Sequence, residues 1–186
     1  MNVLTTEIDG LLIIEPQYFS DTRGFFMETY NRERYAQAGI EESFIQDNVS
    51  LSKKGTLRGL HYQAPPFAQG KLVQVLKGAV LDIAVDIRFG SETFGKHVAV
   101  ELSAENKKQF WIPAGFAHGF VALQDDTLFS YKCTNVYAPE YDRGVLWNDT
   151  QIGIAWPLPA ESLLISDKDA KQPLLHDIAQ EFFWKV

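Results

Sequence analysis

The chain has 186 residues, 46% hydrophobic, 22% charged and 13% aromatic, the balance of a globular protein able to bury a sizeable core in one domain spanning 1–186. A formal net charge of −7 argues against a nucleic-acid or anionic-membrane partner, so an anionic ligand needs a local basic cluster. A single cysteine, Cys133, rules out an internal disulfide. The first residues lack the basic flank and apolar stretch of a signal peptide, and no apolar run approaches the roughly 18 residues of a membrane span. A soluble, cytoplasmic protein is expected.

Residues 3–8 and 11–15 are short apolar runs split by Asp9-Gly10, a hairpin signal. Residues 19–30 read as a polar loop feeding a strand. Asn31 has the character of an N-cap for a short helix over 32–38, closed by Gly39. Residues 44–52 alternate, with Phe44, Gln46, Asn48 and Ser50 on one face and Ile45, Asp47, Val49 and Leu51 on the other. A polar row of that kind is either solvated or lines a site. The next strand contains Arg58-Gly59-Leu60-His61-Tyr62-Gln63. Strict alternation puts Arg58, Leu60 and Tyr62 on one face and Gly59, His61 and Gln63 on the other, so His61 does not face an ordinary apolar core.

After Pro65-Pro66, strands are expected at 71–76 and 79–88, divided by Lys77-Gly78. In the second, Leu81, Ile83, Val85 and Ile87 oppose Val80, Asp82, Ala84, Asp86 and Arg88. Strands at 97–102, 109–112, 119–123 and 128–136 follow. From Gly144 the chain is irregular, with a short helix near 175–183. About ten short strands with frequent turn signals predict an all-β, mainly antiparallel sandwich or barrel of jelly-roll type with one or two short helices.

Pro113-Ala114-Gly115-Phe116-Ala117-His118 matches the second half-motif of the cupin superfamily, whose histidine is a ligand in metal-binding members. The first half-motif should hold a His-x-His pair and a Glu. Here the corresponding stretch is His61-Tyr62-Gln63. The four histidines, His61, His97, His118 and His176, include no close pair, and a divalent site needs three or four converging ligands. No metal is expected.

Proton transfer is the remaining chemistry. His61 is either a structural histidine or a general base. A base needs an orienting carboxylate, and two qualify: Asp169, in the charged turn Ser166-Asp167-Lys168-Asp169, and Asp82, mid-strand among apolar neighbours. Asp169 reads equally well as a solvated turn residue. Lys71 and Tyr131 stand on strands, where half-buried structural roles are usual. Arg23 and Arg58 are basic groups in polar or glycine-flanked settings, for which a surface ion pair worth little is the plain alternative.

Taken together, Arg58-Gly59-Leu60-His61-Tyr62-Gln63, Gly70-Lys71-Leu72-Val73, Pro113-x-Gly115-x-x-His118-Gly119-Phe120 and Tyr131-Lys132 resemble the dTDP-4-dehydrorhamnose 3,5-epimerase family. Phe19-x-Asp21-x-Arg23-Gly24-x-Phe26-x-Glu28, Gln46-Asp47-Asn48-x-Ser50, Trp147-Asn148-Asp149 and Lys168-Asp169 fit as well. The resemblance runs from about residue 3 to residue 175.

The resemblance implies a cupin jelly roll without metal or other cofactor. It implies inversion of C3 and C5 of dTDP-4-dehydro-6-deoxy-D-glucose to give dTDP-4-dehydro-L-rhamnose, in dTDP-L-rhamnose biosynthesis. It makes His61 the base, Asp169 its partner, Tyr131 the acid on the opposite face of the sugar, and Lys71, helped by His118, the stabiliser of the enolate. Phe19, Arg23, Phe26, Glu28, Gln46, Asn48, Arg58, Tyr137, Asp142 and Lys168 become contacts to the dTDP-sugar. At Asp142 the family usually carries a glutamate, so this carboxylate reaches one methylene less far. A homodimer is implied, with an N-terminal segment, about residues 1–30, crossing to the neighbour. Two rival readings stand beside this one. A single-position epimerase or ketoisomerase of another dTDP-deoxysugar route shares the first proton abstraction. A non-enzymatic sugar-binding cupin has no use for a base, a cation and a phenol together.

Overall fold

The turn signals fall where the strands end. The computed structural model describes residues 1–184. Its strands are β1 (Asn2–Thr5), β2 (Leu12–Glu15), β3 (Tyr18–Asp21), β4 (Gly24–Met27), β5 (Gln46–Ser52), β6 (Leu57–Gln63), β7 (Lys71–Lys77), β8 (Ala79–Asp86), β9 (His97–Ser103), β10 (Gln109–Ile112), β11 (Phe116–Ala122), β12 (Thr127–Cys133) and β13 (Asp142–Gly144). Helix α1 (Arg32–Gln37) begins as the sequence predicts: the Asn31 side chain accepts from the Arg34 N–H at 3.2 Å, satisfying one orphan donor of the first turn. Gly39 leaves the helix at φ +90°, in the left-handed region.

A six-stranded sheet runs β1-β2-β10-β7-β12-β5 and a five-stranded sheet runs β13-β6-β11-β8-β9. Val73 and Val75 of β7, Phe110 of β10 and Phe129 of β12 meet Val80 and Ala84 of β8 and Phe120 of β11 in one cluster between them. This is the predicted jelly roll: two antiparallel layers with the apolar alternation of each turned inward. The outward row of β8, Ile83 and Val85, joins Leu60 and Tyr62 of β6, and the C-terminal tail covers them with Ile152, Leu175 and Ile178. On the other flank Ile14, Leu72 and Trp111 are capped by Tyr35 of α1 and Ile40 just beyond it.

Three expectations need correcting. Residues 19–30 are not a loop into a strand: β3 and β4 form a hairpin of their own, with Phe19 opposite Phe26 and Asp21 opposite Gly24. The tail has no helix over 175–183, only short 3-10 turns, one of them Leu175–Asp177. The third correction concerns β6. His61 lies opposite His118 of β11, and Arg58 opposite Phe120, so three steps of β6 span two of β11. That bulge slips the alternation by one. Arg58 therefore faces the same cavity as His61, while Leu60 and Tyr62 turn to the outer cluster. Glycines permit the close approach at the bulge: a Cβ on Gly59 (φ +136°) would sit 2.5 Å from the Gly119 Cα.

Candidate active site

Where the two sheets splay apart, a cavity of about 390 Å³ opens. Arg58 and His61 of β6 and His118 and Phe120 of β11 line it from the five-stranded sheet. Ser50 of β5, Lys71 of β7 and Phe129 and Tyr131 of β12 line it from the six-stranded sheet. Leu164, Ser166, Lys168 and Asp169 close it from the tail. A second lobe of about 440 Å³ shares His61, Lys71, Tyr131 and Lys168 and adds Gln46, Asn48, Gln63, Gln69, Tyr137 and Asp142.

His61 Nε2 lies 2.6 Å from Asp169 Oδ1. The His61 side chain is 30% exposed and that of Asp169 6%, so the imidazole meets the cavity while its partner is sheltered. Asp169 opens the 3-10 turn Asp169–Lys171 and donates its backbone N–H to Ser166 Oγ at 3.1 Å. Burial alone would push its carboxyl up. The hydrogen bond and charge of His61, the Gly59 N–H and Ser166 outweigh burial and hold it below the ordinary carboxylate value. Asp169 is thus no solvated turn residue.

The other candidate, Asp82, is fully buried and bonds His118 Nε2 through both carboxylate oxygens at 3.0 Å. Burial pushes the Asp82 carboxyl up and the His118 imidazole down, both toward an uncharged pair. Lys71 stands beside them. Burial pushes its ammonium down, against the attraction of Cys133, Asp142 and Asp82. Burial raises the Tyr131 phenol, with Arg58 opposing, which keeps its proton in place at neutral pH.

In the second lobe Lys168 is ion-paired with Asp142, and the Tyr137 hydroxyl donates to the same carboxylate at 3.0 Å. The shorter carboxylate is thus engaged within its own chain. Gln46 accepts the Tyr137 N–H at 2.8 Å and donates to Asn48 at 3.2 Å. The Arg58 Nε donates to Ser52 Oγ at 3.3 Å.

Four predicted residues are not brought into this cavity. Phe19, Arg23 and Phe26 line a separate hollow on the β3–β4 hairpin, with Phe19 62% and Phe26 70% exposed. Arg23 turns back onto Asp21, and Glu28 pairs with Arg34 at 2.9 Å. Conversely, Thr56, Phe120, Phe129, Leu164 and Ser166 line the cavity without having been singled out, because no chemical signal marks an apolar or hydroxyl wall residue. Ser50 was legible only as part of the polar row on its strand, and its buried hydroxyl has no partner.

The cupin half-motif raises the question of a metal. Among the described residues no three His, Cys, Asp or Glu side chains converge as ligands. Both cavity histidines spend Nε2 on a carboxylate, with the Lys71 ammonium facing the same space. This donor set does not fit a divalent ion.

The family described as dTDP-4-dehydrorhamnose 3,5-epimerase matches residues 5–177. A Shigella flexneri protein named dTDP-4-dehydrorhamnose 3,5-epimerase is 56% identical over 170 residues, covering 91% of this chain and 93% of its own. The solved structure of dTDP-6-deoxy-D-glucose-3,5-epimerase from Legionella pneumophila Philadelphia 1, in complex with dTDP-4-keto-L-rhamnose, aligns with a TM-score of 0.96 at 50% identity, over 100% of this chain and 99% of that one. A 3'-monoepimerase from Streptomyces bikiniensis in complex with dTDP-quinovose aligns with a TM-score of 0.86 at 38% identity, over 92% and 86%. With the match running along almost the whole length and relatives at half identity or more, this chain belongs to the dTDP-4-dehydrorhamnose 3,5-epimerase family and is an isomerase.

Proposed function

We propose that His61 is the base that removes the C3 and C5 protons of dTDP-4-dehydro-6-deoxy-D-glucose in the family's 3,5-epimerisation. The observation that carries this is the 2.6 Å contact between His61 and Asp169, in one cavity with Lys71 and Tyr131. The 4-keto group acidifies the neighbouring C–H bonds, yet not enough for imidazole alone. A cation aimed at the developing enolate oxygen closes much of the gap, and one such contact is worth about 3–4 kcal/mol. Lys71, which lines the same cavity as His61, supports that role. Asp169 orients the imidazole and favours its protonated form.

Inversion requires the new proton to arrive from the other face. Tyr131 belongs to the six-stranded sheet and His61 to the five-stranded sheet, so the two groups address a sugar between them from opposite sides. His61 takes the proton from carbon, the electron pair passes to the carbonyl oxygen, and the enolate collapses as carbon takes the Tyr131 proton. Solvent then reprotonates the phenol and takes the proton from His61, which resets both groups for the second carbon.

The working unit is a homodimer of single jelly-roll domains, 1–186, acting in the cytoplasm; among the described residues no helix is long and apolar enough to cross a membrane. The β3–β4 hairpin supports exchange between subunits, because its phenylalanines and Arg23 point away from their own chain's cavity. In a C2 dimer the hairpin completes the neighbour's site, with Arg23 on the diphosphate, where a guanidinium suits phosphate geometry. The Legionella complex supports a dTDP-sugar ligand.

The test is incubation with dTDP-4-dehydro-6-deoxy-D-glucose in D2O. Deuterium should enter both C3 and C5. Entry at one carbon alone means a single-position epimerase, and no entry means a binding module.

A further inference from the structure

The turn that carries Asp169 must be held against β6, and its attachment runs through a residue outside the cavity. The Leu164 N–H donates to the Gly55 carbonyl at 2.8 Å, and the Leu57 N–H donates to the Leu164 carbonyl at 3.0 Å. Thr56 and Leu164 form a parallel bridge between these bonds. Only a short stretch of tail further on, Asp169 meets His61. Gly55 itself cannot retreat, because its own N–H is tied to the Ala122 carbonyl at 2.8 Å.

Gly55 adopts φ +84°, and a Cβ there would lie 2.4 Å from the Ser162 carbonyl oxygen. That oxygen is main chain, so it cannot swing aside as a side chain would; the tail has to move. We propose that Gly55 is a positioning residue for the epimerase reaction: its missing side chain lets the tail around Ser162 and Leu164 dock closely enough to set Asp169 on His61. This inference rests on the reading of His61 and Asp169 as the catalytic pair.

The chain contains a matched control. Gly90 has the same φ, +84°, and a Cβ there meets nothing within 4 Å. A side chain at either position meets a left-handed φ of the same size, and only at Gly55 does it also displace the tail. Asn tolerates this backbone region better than other L residues, so Gly55→Asn and Gly90→Asn reduce the penalty while keeping the Cβ.

The experiment compares Gly55→Ala, Gly55→Asn, Gly90→Ala, Gly90→Asn, Asp169→Asn and the double variant Gly55→Ala/Asp169→Asn by kcat and by urea midpoint. Both Gly90 variants should keep kcat within about twofold. Both Gly55 variants should lose at least tenfold in kcat. On the Asp169→Asn background Gly55→Ala should cost less than about threefold, because the carboxylate it would displace from His61 is already gone.

A purely structural role for Gly55 would lower the urea midpoint and multiply its loss with that of Asp169→Asn, and that outcome overturns the proposal. Gly55 variants with wild-type kcat overturn it while leaving the catalytic pair intact. It also falls if neither Gly55 variant folds where both Gly90 variants do, since the junction is then a folding requirement. Wild-type behaviour of Asp169→Asn overturns the catalytic pair itself, and the proposal with it.

Discussion

Replacing Asp169 by Asn removes a charge and keeps the shape. The carboxylate oxygen sits 2.6 Å from His61 Nε2, and the two side chains are 6% and 30% exposed. Unit charges about 4 Å apart at an effective dielectric of about 20 interact by about 4 kcal/mol. Solvent at the partly exposed imidazole screens some of this, leaving roughly 2–3 kcal/mol that favours the imidazolium formed in the transition state. At about 1.4 kcal/mol per decade, kcat should fall by about 30- to 150-fold, and further if the amide reverses the imidazole tautomer. Deuterium entry at C3 and at C5 should fall by the same factor, because one base serves both. A stability signature accompanies the loss. The depressed carboxyl of Asp169 contributes stability that is present above its unfolded value, near 3.9, and is lost as pH falls through the lower folded value. The urea-midpoint gap between wild type and Asp169→Asn should therefore be open at pH 6 and shrink below about pH 4. A variant within fivefold of wild type at both carbons would refute the reasoning.

Asp82→Asn, which disturbs His118 and leaves His61 its partner, should cost at least tenfold less activity than Asp169→Asn; the reverse order would exchange the two roles. Lys71→Met should lose about two to three decades of C–H exchange, the worth of one oxyanion contact, with an unchanged circular dichroism spectrum, and a loss below tenfold would remove Lys71 from the enolate. Inactive Arg23→Ala and His61→Ala subunits, mixed until they exchange, should recover up to about a quarter of wild-type activity, since a random mixture is half heterodimer and each heterodimer has one intact site. No recovery despite proven exchange would mean that the hairpin serves its own chain. Phe110→Ala, at a fully buried position between the sheets, should lower stability by about 3–5 kcal/mol, and a urea-midpoint change equivalent to less than 1 kcal/mol would show a core that collapses around the gap.

Much of the fold was legible because two-residue alternation is a local property. The β8 pattern sorts into an inner and an outer row as read from the sequence. The cap at Asn31 and the turns at Asp9-Gly10 and Lys77-Gly78 are equally local. Arg58 was placed on the wrong face because a bulge depends on the register with β11, and one strand's pattern cannot carry that information. The β3–β4 hairpin was missed because its phenylalanines and charged residues do not alternate against a core of their own chain. His61 stood out by its glycine and glutamine neighbours. Its carboxylate did not, because Asp169 lies 108 positions away in a turn rich in charge, where burial comes from β6 and leaves no trace in the local pattern. The choice between Asp82 and Asp169 needed the third dimension for the same reason.

That separation of 108 positions has a consequence during synthesis. At translation rates of about 5–20 residues per second, the ribosome needs roughly 5–20 s to travel from His61 to Asp169. All twelve strands from β1 to β12 belong to chain that emerges before the tail does, so the nascent sheets can pair while the imidazole still has no carboxylate. On the proposed pairing, turnover waits for residue 169 to leave the ribosome. A ribosome that stalls short of that point should leave a chain with paired sheets and no turnover, so the onset of epimerase activity would time the emergence of the tail.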